Sequence, residues 1–380
     1  MKITEIKLHI LEVPGREARV LHLAQVPGVR RIQYTHHGRS AHRPAQEMIL
    51  QVRTDEGVDG FCTLESQMYA GEVSRMLELL RANALGADPL AREELFQKFQ
   101  LGTRWVYQKP GWFGAFDNCL WDIAGKVAGL PVYKLLGQVR SGLPVYLTGG
   151  DGPLELYIEH IERGREQGIR AYKAHTYKGG RADIPLMEKL REYVGDDYDL
   201  IIDPVCSYTY QEAVEVGHVL ERLHFIWLEE PFHEYKMHQY QQLCAELTIP
   251  VMATETLMYD MGLSAQWLIH GATDLLRGNA RHGTTQVLKL AHFAELYGTN
   301  IELNGAGGLY GLVHAHLGCA IANTSYYEHS VGRGVHELGL EVGLLNPPQI
   351  IDGCLVPPDG PGWGAEWDME LFAKRTVAVL

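Results

Sequence analysis

The sequence predicts an α/β protein in which a closed barrel of parallel strands is joined to a smaller α+β unit. Three observations carry this reading. From residue 143 onward, short apolar runs alternate with amphipathic stretches seven or eight times, the rhythm of consecutive βα units. His175, Asp203, Glu229, Glu255, Asn279, Asn304 and Glu328 each close one of those runs, 24 to 28 residues apart. The length of 380 residues exceeds one ordinary domain but suits a barrel with a small companion.

The smaller unit comes first. Residues 2–13 alternate polar and apolar side chains and predict a strand. Residues 15–45, rich in Arg and His, predict an irregular stretch. A strand over 46–53, a turn at Asp55-Glu56-Gly57 and a strand through Phe61 follow. Between residues 112 and 127, Trp112, Ala115, Phe116, Cys119, Leu120, Ile123 and Val127 recur at three- and four-residue intervals, which predicts a helix with one buried face.

Eight barrel strands are then predicted at Leu143–Thr148, Arg170–His175, Leu200–Asp203, Phe225–Glu229, Pro250–Glu255, Asp274–Asn279, Asn300–Asn304 and Ser325–Glu328. Helices such as 154–167, 210–222 and 284–297 separate them. Eight such units in under 220 residues favour closure over an open sheet.

Composition excludes several classes of function. Hydrophobic residues make up 46% and charged residues 21%, and there is no apolar run long enough to span a bilayer. The net charge of −13 repels nucleic acid and acidic membranes, so neither is expected as a partner. The N-terminus alternates like a strand and lacks a leader's apolar stretch, so a cytoplasmic protein is expected. The six cysteines are scattered without a Cys-x-x-Cys pair, which argues against a disulfide framework or a zinc site.

Residues at the C-terminal ends of barrel strands converge on one mouth, where barrel enzymes keep their chemistry. Asp203, Glu229 and Glu255 would there repel one another, and a hard divalent cation relieves the repulsion. Magnesium prefers oxygen ligands and keeps water positions open for a substrate carboxylate. Any one of these acids alone reads better as a helix cap or half of an ion pair; three in register make coincidence the weaker reading.

These runs also carry a resemblance. Leu200-Ile201-Ile202-Asp203, Trp227-Leu228-Glu229-Glu230-Pro231 and Ile249-Pro250-Val251-Met252-Ala253-Thr254-Glu255 resemble the three metal-ligand strands of the enolase superfamily, in its mandelate racemase branch. Ala115 to Lys126, continuing through Leu130-Pro131 to Leu136-Gly137, is similar to the helix leading into that family's barrel. Pro358-Asp359-Gly360-Pro361-Gly362-Trp363-Gly364 is similar to its C-terminal signature.

The resemblance implies a modified TIM barrel of (β/α)7β type over 140–345, under a capping domain of residues 1–135 completed by 350–380. It implies one Mg2+ per subunit on Asp203, Glu229 and Glu255, and removal of the proton α to a carboxylate through an enediolate. It further implies a small-molecule carboxylate substrate and a homo-oligomer. Glu328 aligns with an acid that donates a hydrogen bond to the substrate carboxylate, and so would have to be protonated.

The pattern is broken in two places. Where many relatives carry Lys-x-Lys, this chain has Lys173-Ala174-His175; His175 is then the expected base, and Lys173 a partner of the substrate carboxylate. Where relatives place a catalytic Asp and His, this chain has Asn279 and Asn304. Asparagine is no base, so two-base racemisation is disfavoured, and Asn279 and Asn304 read as substrate-binding. One base on one face suits syn dehydration of an acid sugar.

Tyr34, His36, His37, Arg39, His42 and Arg43 fall in the region of the family's mobile loop, and with Gln67, Tyr69, Arg104 and Trp105 are expected to choose the substrate, although a solvated loop explains them equally well. The expected function is thus dehydration of an aldonate or aldarate to a 2-keto-3-deoxy acid. An epimerase, racemase or lactone cycloisomerase, and a non-catalytic ligand-binding barrel, are the alternatives.

Overall fold

The computed structural model describes residues 1–25, 34–64, 70–177, 179–305, 309–332 and 334–380. Its first sheet has the order β14-β1-β2-β3, built from β1 (Ile3–Gln25), β2 (Tyr34–Thr54), β3 (Gly60–Leu64) and, from the far end of the chain, β14 (Thr376–Val379). Three helices, Ala70–Ala84, Arg92–Val106 and Gly114–Ala128, accompany it.

Within the 15–45 stretch expected to be irregular, residues 15–25 and 34–45 are instead strand. β1 and β2 continue as a two-stranded ribbon in which Val20 faces Arg39 and Gln25 faces Tyr34, with register shifts between Val13 and Arg19. Cross-strand pairing satisfies the backbone there. A pairing partner on a separate segment of the chain leaves no mark on local composition, which is why the arms read as loop.

Eight parallel strands then close on themselves: β4 (Leu143–Gly149), β5 (Ala171–His175), β6 (Asp199–Asp203), β7 (Leu228–Glu229), β8 (Val251–Ala253), β9 (Leu275–Gly278), β10 (Ile301–Leu303) and β11 (Tyr327–Ser330). Closure is made by β11 against β4, with Tyr327 opposite Val145 and Ser330 opposite Thr148. The hairpin β12 (Gln349–Ile351) and β13 (Cys354–Val356) adds antiparallel to the start of β4 at Leu143 and Pro144. No described helix is long and apolar enough to cross a membrane.

The two-residue period of a strand decides what the barrel holds. Leu200 and Ile202 point outward into the core shared with the helices, whereas Ile201 joins Tyr146, Ala171, Trp227 and Met252 in a separate cluster inside the barrel. Two residues further along, the same inner face carries Thr148, Lys173, Asp203 and Glu229. An apolar and aromatic floor therefore lies one pleat below the polar mouth. Each large side chain in that floor contributes about 1.5–3 kcal/mol by burial.

The helix Gly114–Ala128 fastens cap to barrel. Asp117 accepts from the backbone N–H and hydroxyl of Thr285 at 2.8 and 2.7 Å. Asn118 accepts from the backbone N–H of Thr284 at 2.9 Å and donates to the Ala280 carbonyl at 2.7 Å. Asp122 accepts from the Trp363 backbone N–H at 2.9 Å. Gly362, at φ 72°, lies so close that an added Cβ would stand 2.1 Å from Asp122 Oδ1. The helix and the Pro358–Gly364 segment, far apart in sequence, are thus two halves of one joint.

Candidate active site

His175 ends β5. Its Nε2 is 3.2 Å from Asp203 Oδ2, and its Nδ1 is 2.9 Å from Thr148 Oγ1 and 3.0 Å from the Gly149 carbonyl. A carbonyl only accepts, so Nδ1 carries the hydrogen and Nε2 is the nitrogen turned toward the acids. Burial disfavours the charged ring, but the Asp203 charge and hydrogen bond outweigh it and raise the His175 pKa.

Lys173, 1% exposed, extends its Nζ to Glu328 Oε1 at 2.9 Å, Glu229 Oε1 at 3.1 Å and Asp203 Oδ2 at 3.5 Å. Burial opposes its charge, yet Glu229 and Glu328 hold its pKa well above the usual lysine value. Burial also opposes ionisation of Asp203, but the His175 and Lys173 charges, with the Val205 N–H at 2.9 Å, bring it down to about 2.

Arg277 was not foreseen. It is fully buried and bonds Glu229 Oε1 at 2.5 Å and Glu328 Oε2 at 2.8 Å, with Nε 3.6 Å from Glu255 Oε2. Its Nε and Nη1 have no hydrogen-bond partner among the described residues. A signal existed: Arg277 precedes Asn279 by two, as Lys173 precedes His175, which places each pair on one face of its strand. Tyr146, also unforeseen, donates its hydroxyl to Glu328 Oε2 at 2.9 Å.

Glu328 differs from the protonated donor expected of it. It accepts from Lys173, Arg277, the Tyr146 hydroxyl and the Gly305 N–H, the last at 2.7 Å. Burial would raise its pKa, but the Lys173 and Arg277 charges hold it well below the usual carboxylate range. The crowd of acids does not protonate Glu328 because two buried cations face it.

Glu229 also accepts from the Trp227 indole N–H at 3.1 Å. Glu255, two residues beyond β8, follows Thr254 in the left-handed region at φ 79°. Thr254 continues the inner-face period of Met252, and its unusual backbone returns Glu255 to the mouth. Val205, Cys206 and Glu230 lie in the same region, at φ 47°, 59° and 38°. Such residues cost about 1–3 kcal/mol each and cluster at functional sites; here they follow β6, β7 and β8.

The remaining predicted residues fall into three groups. Asn304 donates to Glu255 Oε2 at 2.7 Å and accepts from Asn279 Nδ2 at 3.1 Å, while Asn279, 1% exposed, lies behind it. Trp105 is 77% exposed on the cap helix, with the Arg104 guanidinium 5.5 Å over its ring. Tyr34, His36, His37 and Arg39 lie on β2 with side chains outside the described set, and Gln67 and Tyr69 lie outside the described residues. His42 and Arg43 are exposed on the ribbon.

Among the described residues no three His, Cys, Asp or Glu side chains meet closely enough to hold one ion; Lys173 and Arg277 both bond Glu229 Oε1 instead. What fits a cation is the donor chemistry, since Asp203, Glu229 and Glu255 offer only hard oxygens. Glu255 is pushed up to about 7 by burial and by Glu229 and Asp203, against the pull of Arg277 and Lys173. Burial is the largest of these effects, and it outweighs the cations set against it.

A closed parallel barrel with acids at successive strand ends, under a cap drawn from both ends of the chain, defines an enzyme of the enolase superfamily, a lyase or isomerase. The model of the enolase C-terminal domain-like family matches residues 157–371, and that of the mandelate racemase / muconate lactonizing enzyme N-terminal domain matches residues 24–137. The chain belongs to the mandelate racemase/muconate lactonizing enzyme family.

It is 27% identical over 296 residues to an L-talarate/galactarate dehydratase of Salmonella typhimurium, covering 74% of this chain and 72% of the relative. It is 26% identical over 371 residues to a 3,6-anhydro-alpha-L-galactonate cycloisomerase of Streptomyces coelicolor, covering 93% and 98%. The crystal structure of D-glucarate dehydratase from Agrobacterium tumefaciens complexed with magnesium superposes with a TM-score of 0.80 at 28% identity, over 100% of both chains.

Proposed function

We propose that the protein is a magnesium-dependent dehydratase of an aldonic or aldaric acid. The observation that carries this reading is the one-sidedness of its acid–base groups. His175 presents Nε2 to the mouth with Nδ1 fixed against the Gly149 carbonyl, whereas across the mouth stands Asn304, whose amide is engaged at both ends.

Magnesium on Asp203, Glu229 and Glu255 would supply positive charge against the negative charge that develops on the substrate carboxylate. His175 Nε2, once deprotonated, takes the hydrogen from the α-carbon, and the pair of electrons of that bond becomes the new double bond. The same nitrogen then gives its proton to the departing β-hydroxyl on the same face. Water leaves, and the enol tautomerises to the 2-keto-3-deoxy acid. Lys173 and Arg277 hold Glu229 and Glu328 in place and add fixed positive charge beside the reacting carboxylate.

The dehydratase names of two relatives support the reading; the cycloisomerase of comparable identity supports ring opening by the same α-proton removal as the second reading. Six free cysteines support a reducing, cytoplasmic setting. The test is incubation with a panel of aldonic and aldaric acids plus magnesium, assayed for 2-keto-3-deoxy products. Turnover of at least one acid is expected, and its loss in His175→Gln. No turnover of any acid overturns dehydration, and solvent deuterium at the α-carbon without keto acid selects the second reading.

A further inference from the structure

We propose that Asn279 and Asn304 form a directional amide relay that sets the orientation of Glu255, and are positioning residues. The inference rests on the reading of Glu255 as a magnesium ligand.

The direction follows from elementary donor and acceptor chemistry. The backbone N–H of Arg281 can only donate, and it stands 2.9 Å from the Asn279 side chain, so the Asn279 atom facing it is Oδ1. Asn279 Nδ2 is thereby turned to Asn304, 3.1 Å away, where it meets Oδ1. Asn304 must then point Nδ2 at Glu255 Oε2, 2.7 Å away. Each amide is oriented by the one before it, and the relay ends by donating to one chosen oxygen of Glu255. The other oxygen is left for a cation.

The start of the relay is itself fixed. Ala280, between Asn279 and Arg281, donates its N–H to His314 Nε2 at 2.9 Å and accepts from Asn118 Nδ2 at 2.7 Å. Asn118, Asn279 and His314 are each at most 1% exposed, and Asn304 is 9% exposed. The cap helix therefore reaches Glu255 through Asn118, the 279–281 turn and Asn304, with no step through solvent.

The relay makes an unusual prediction about substitution. In Asn279→Asp the carboxylate still accepts from Arg281 but cannot donate to Asn304. Asn304 then turns its NH2 toward position 279 and its carbonyl oxygen toward Glu255, acceptor against acceptor. In Asn279→Ala the donor is lost but nothing forces that reversal. A merely structural role orders the two variants the other way, because Asp is nearly isosteric with Asn.

The experiment is calorimetric titration of the full chain with Mg2+ for wild type, Asn279→Asp and Asn279→Ala, with thermal melts to verify folding. Asn279→Asp is expected to weaken Mg2+ roughly tenfold or more, and Asn279→Ala by about threefold or less, the loss of a charge-assisted hydrogen bond setting the scale. Equal or reversed order overturns the relay alone. Absence of Mg2+ binding by wild type overturns the metal site and the relay together. If Asn279→Asp does not fold, the same ordering is read from Asn304→Asp against Asn304→Ala, where Asp no weaker than Ala in Mg2+ binding overturns the relay.

Discussion

Lys173 Nζ and Glu328 Oε1 lie 2.9 Å apart, with side chains 1% and 7% exposed. Each would be costly to bury alone, and each is tied to others: Lys173 to Glu229 and Asp203, Glu328 to Arg277 and Tyr146. Charge in the barrel mouth is therefore a shared property, and its consequences are measurable.

Removing one partner strands the others. Lys173→Met leaves three buried carboxylates short of a cation and is expected to destabilise the fold by about 3–5 kcal/mol. Lys173→Met with Glu328→Gln should lose at least about 1 kcal/mol less than the sum of the single effects, because the two share one network. Urea unfolding of the four proteins checks this, and additive losses would refute the coupling.

His175→Gln tests the base while leaving Lys173 and Arg277 in place, although it removes one partner of Asp203. Glutamine can still donate to the Gly149 carbonyl, so folding should be retained while α-proton exchange into D2O falls by roughly 10²- to 10⁴-fold. Exchange at the wild-type rate would remove His175 from the mechanism.

Gly362→Ala tests the joint between cap and barrel. Its Cβ would meet Asp122 Oδ1 at 2.1 Å on a backbone at φ 72°, so a loss of more than about 2 kcal/mol is expected. A melting temperature within a degree of wild type would show that the joint yields.

His314 gives a pH signature. Burial, with Arg281 nearby, depresses its pKa to about 3, and its Nε2 must stay unprotonated to accept from Ala280. The unfolded chain titrates this group near 6.5, so between pH 6.5 and 3 the unfolded state binds the extra proton and stability falls as pH falls. His314→Gln keeps an acceptor but cannot titrate. Wild type should therefore lose about 1.4 kcal/mol per pH unit more than the variant on going from pH 6 to 4. Parallel stability curves for the two proteins would contradict this.

Much of the architecture was legible because its causes are local. A strand's two-residue period and a helix's three- to four-residue period are written in adjacent residues, so eight strands, their order and the polar residues at their ends could be read directly. Arg277 was legible in principle, as a charge on the inner face of a short apolar run, but an arginine inside a barrel makes sense only once Glu229 and Glu328 are known to face it. The long β1–β2 ribbon was hidden because pairing between separate segments of the chain has no compositional mark.

The sequence by itself determined that His175, Asp203, Glu229 and Glu328 lie on barrel strands and converge with Lys173, since strand period and spacing leave little choice for them, but it left Arg277 and Tyr146 unread. Only the tertiary structure decided what those side chains are chemically: that Glu328 is ionised between Lys173 and Arg277, that His175 turns Nε2 toward Asp203, and that Asn304 gives its NH2 to Glu255. Protonation and hydrogen-bond direction depend on distances of about 3 Å between residues dozens of positions apart, in a space that excludes water. No pattern along the chain encodes those distances; they exist only when the barrel closes.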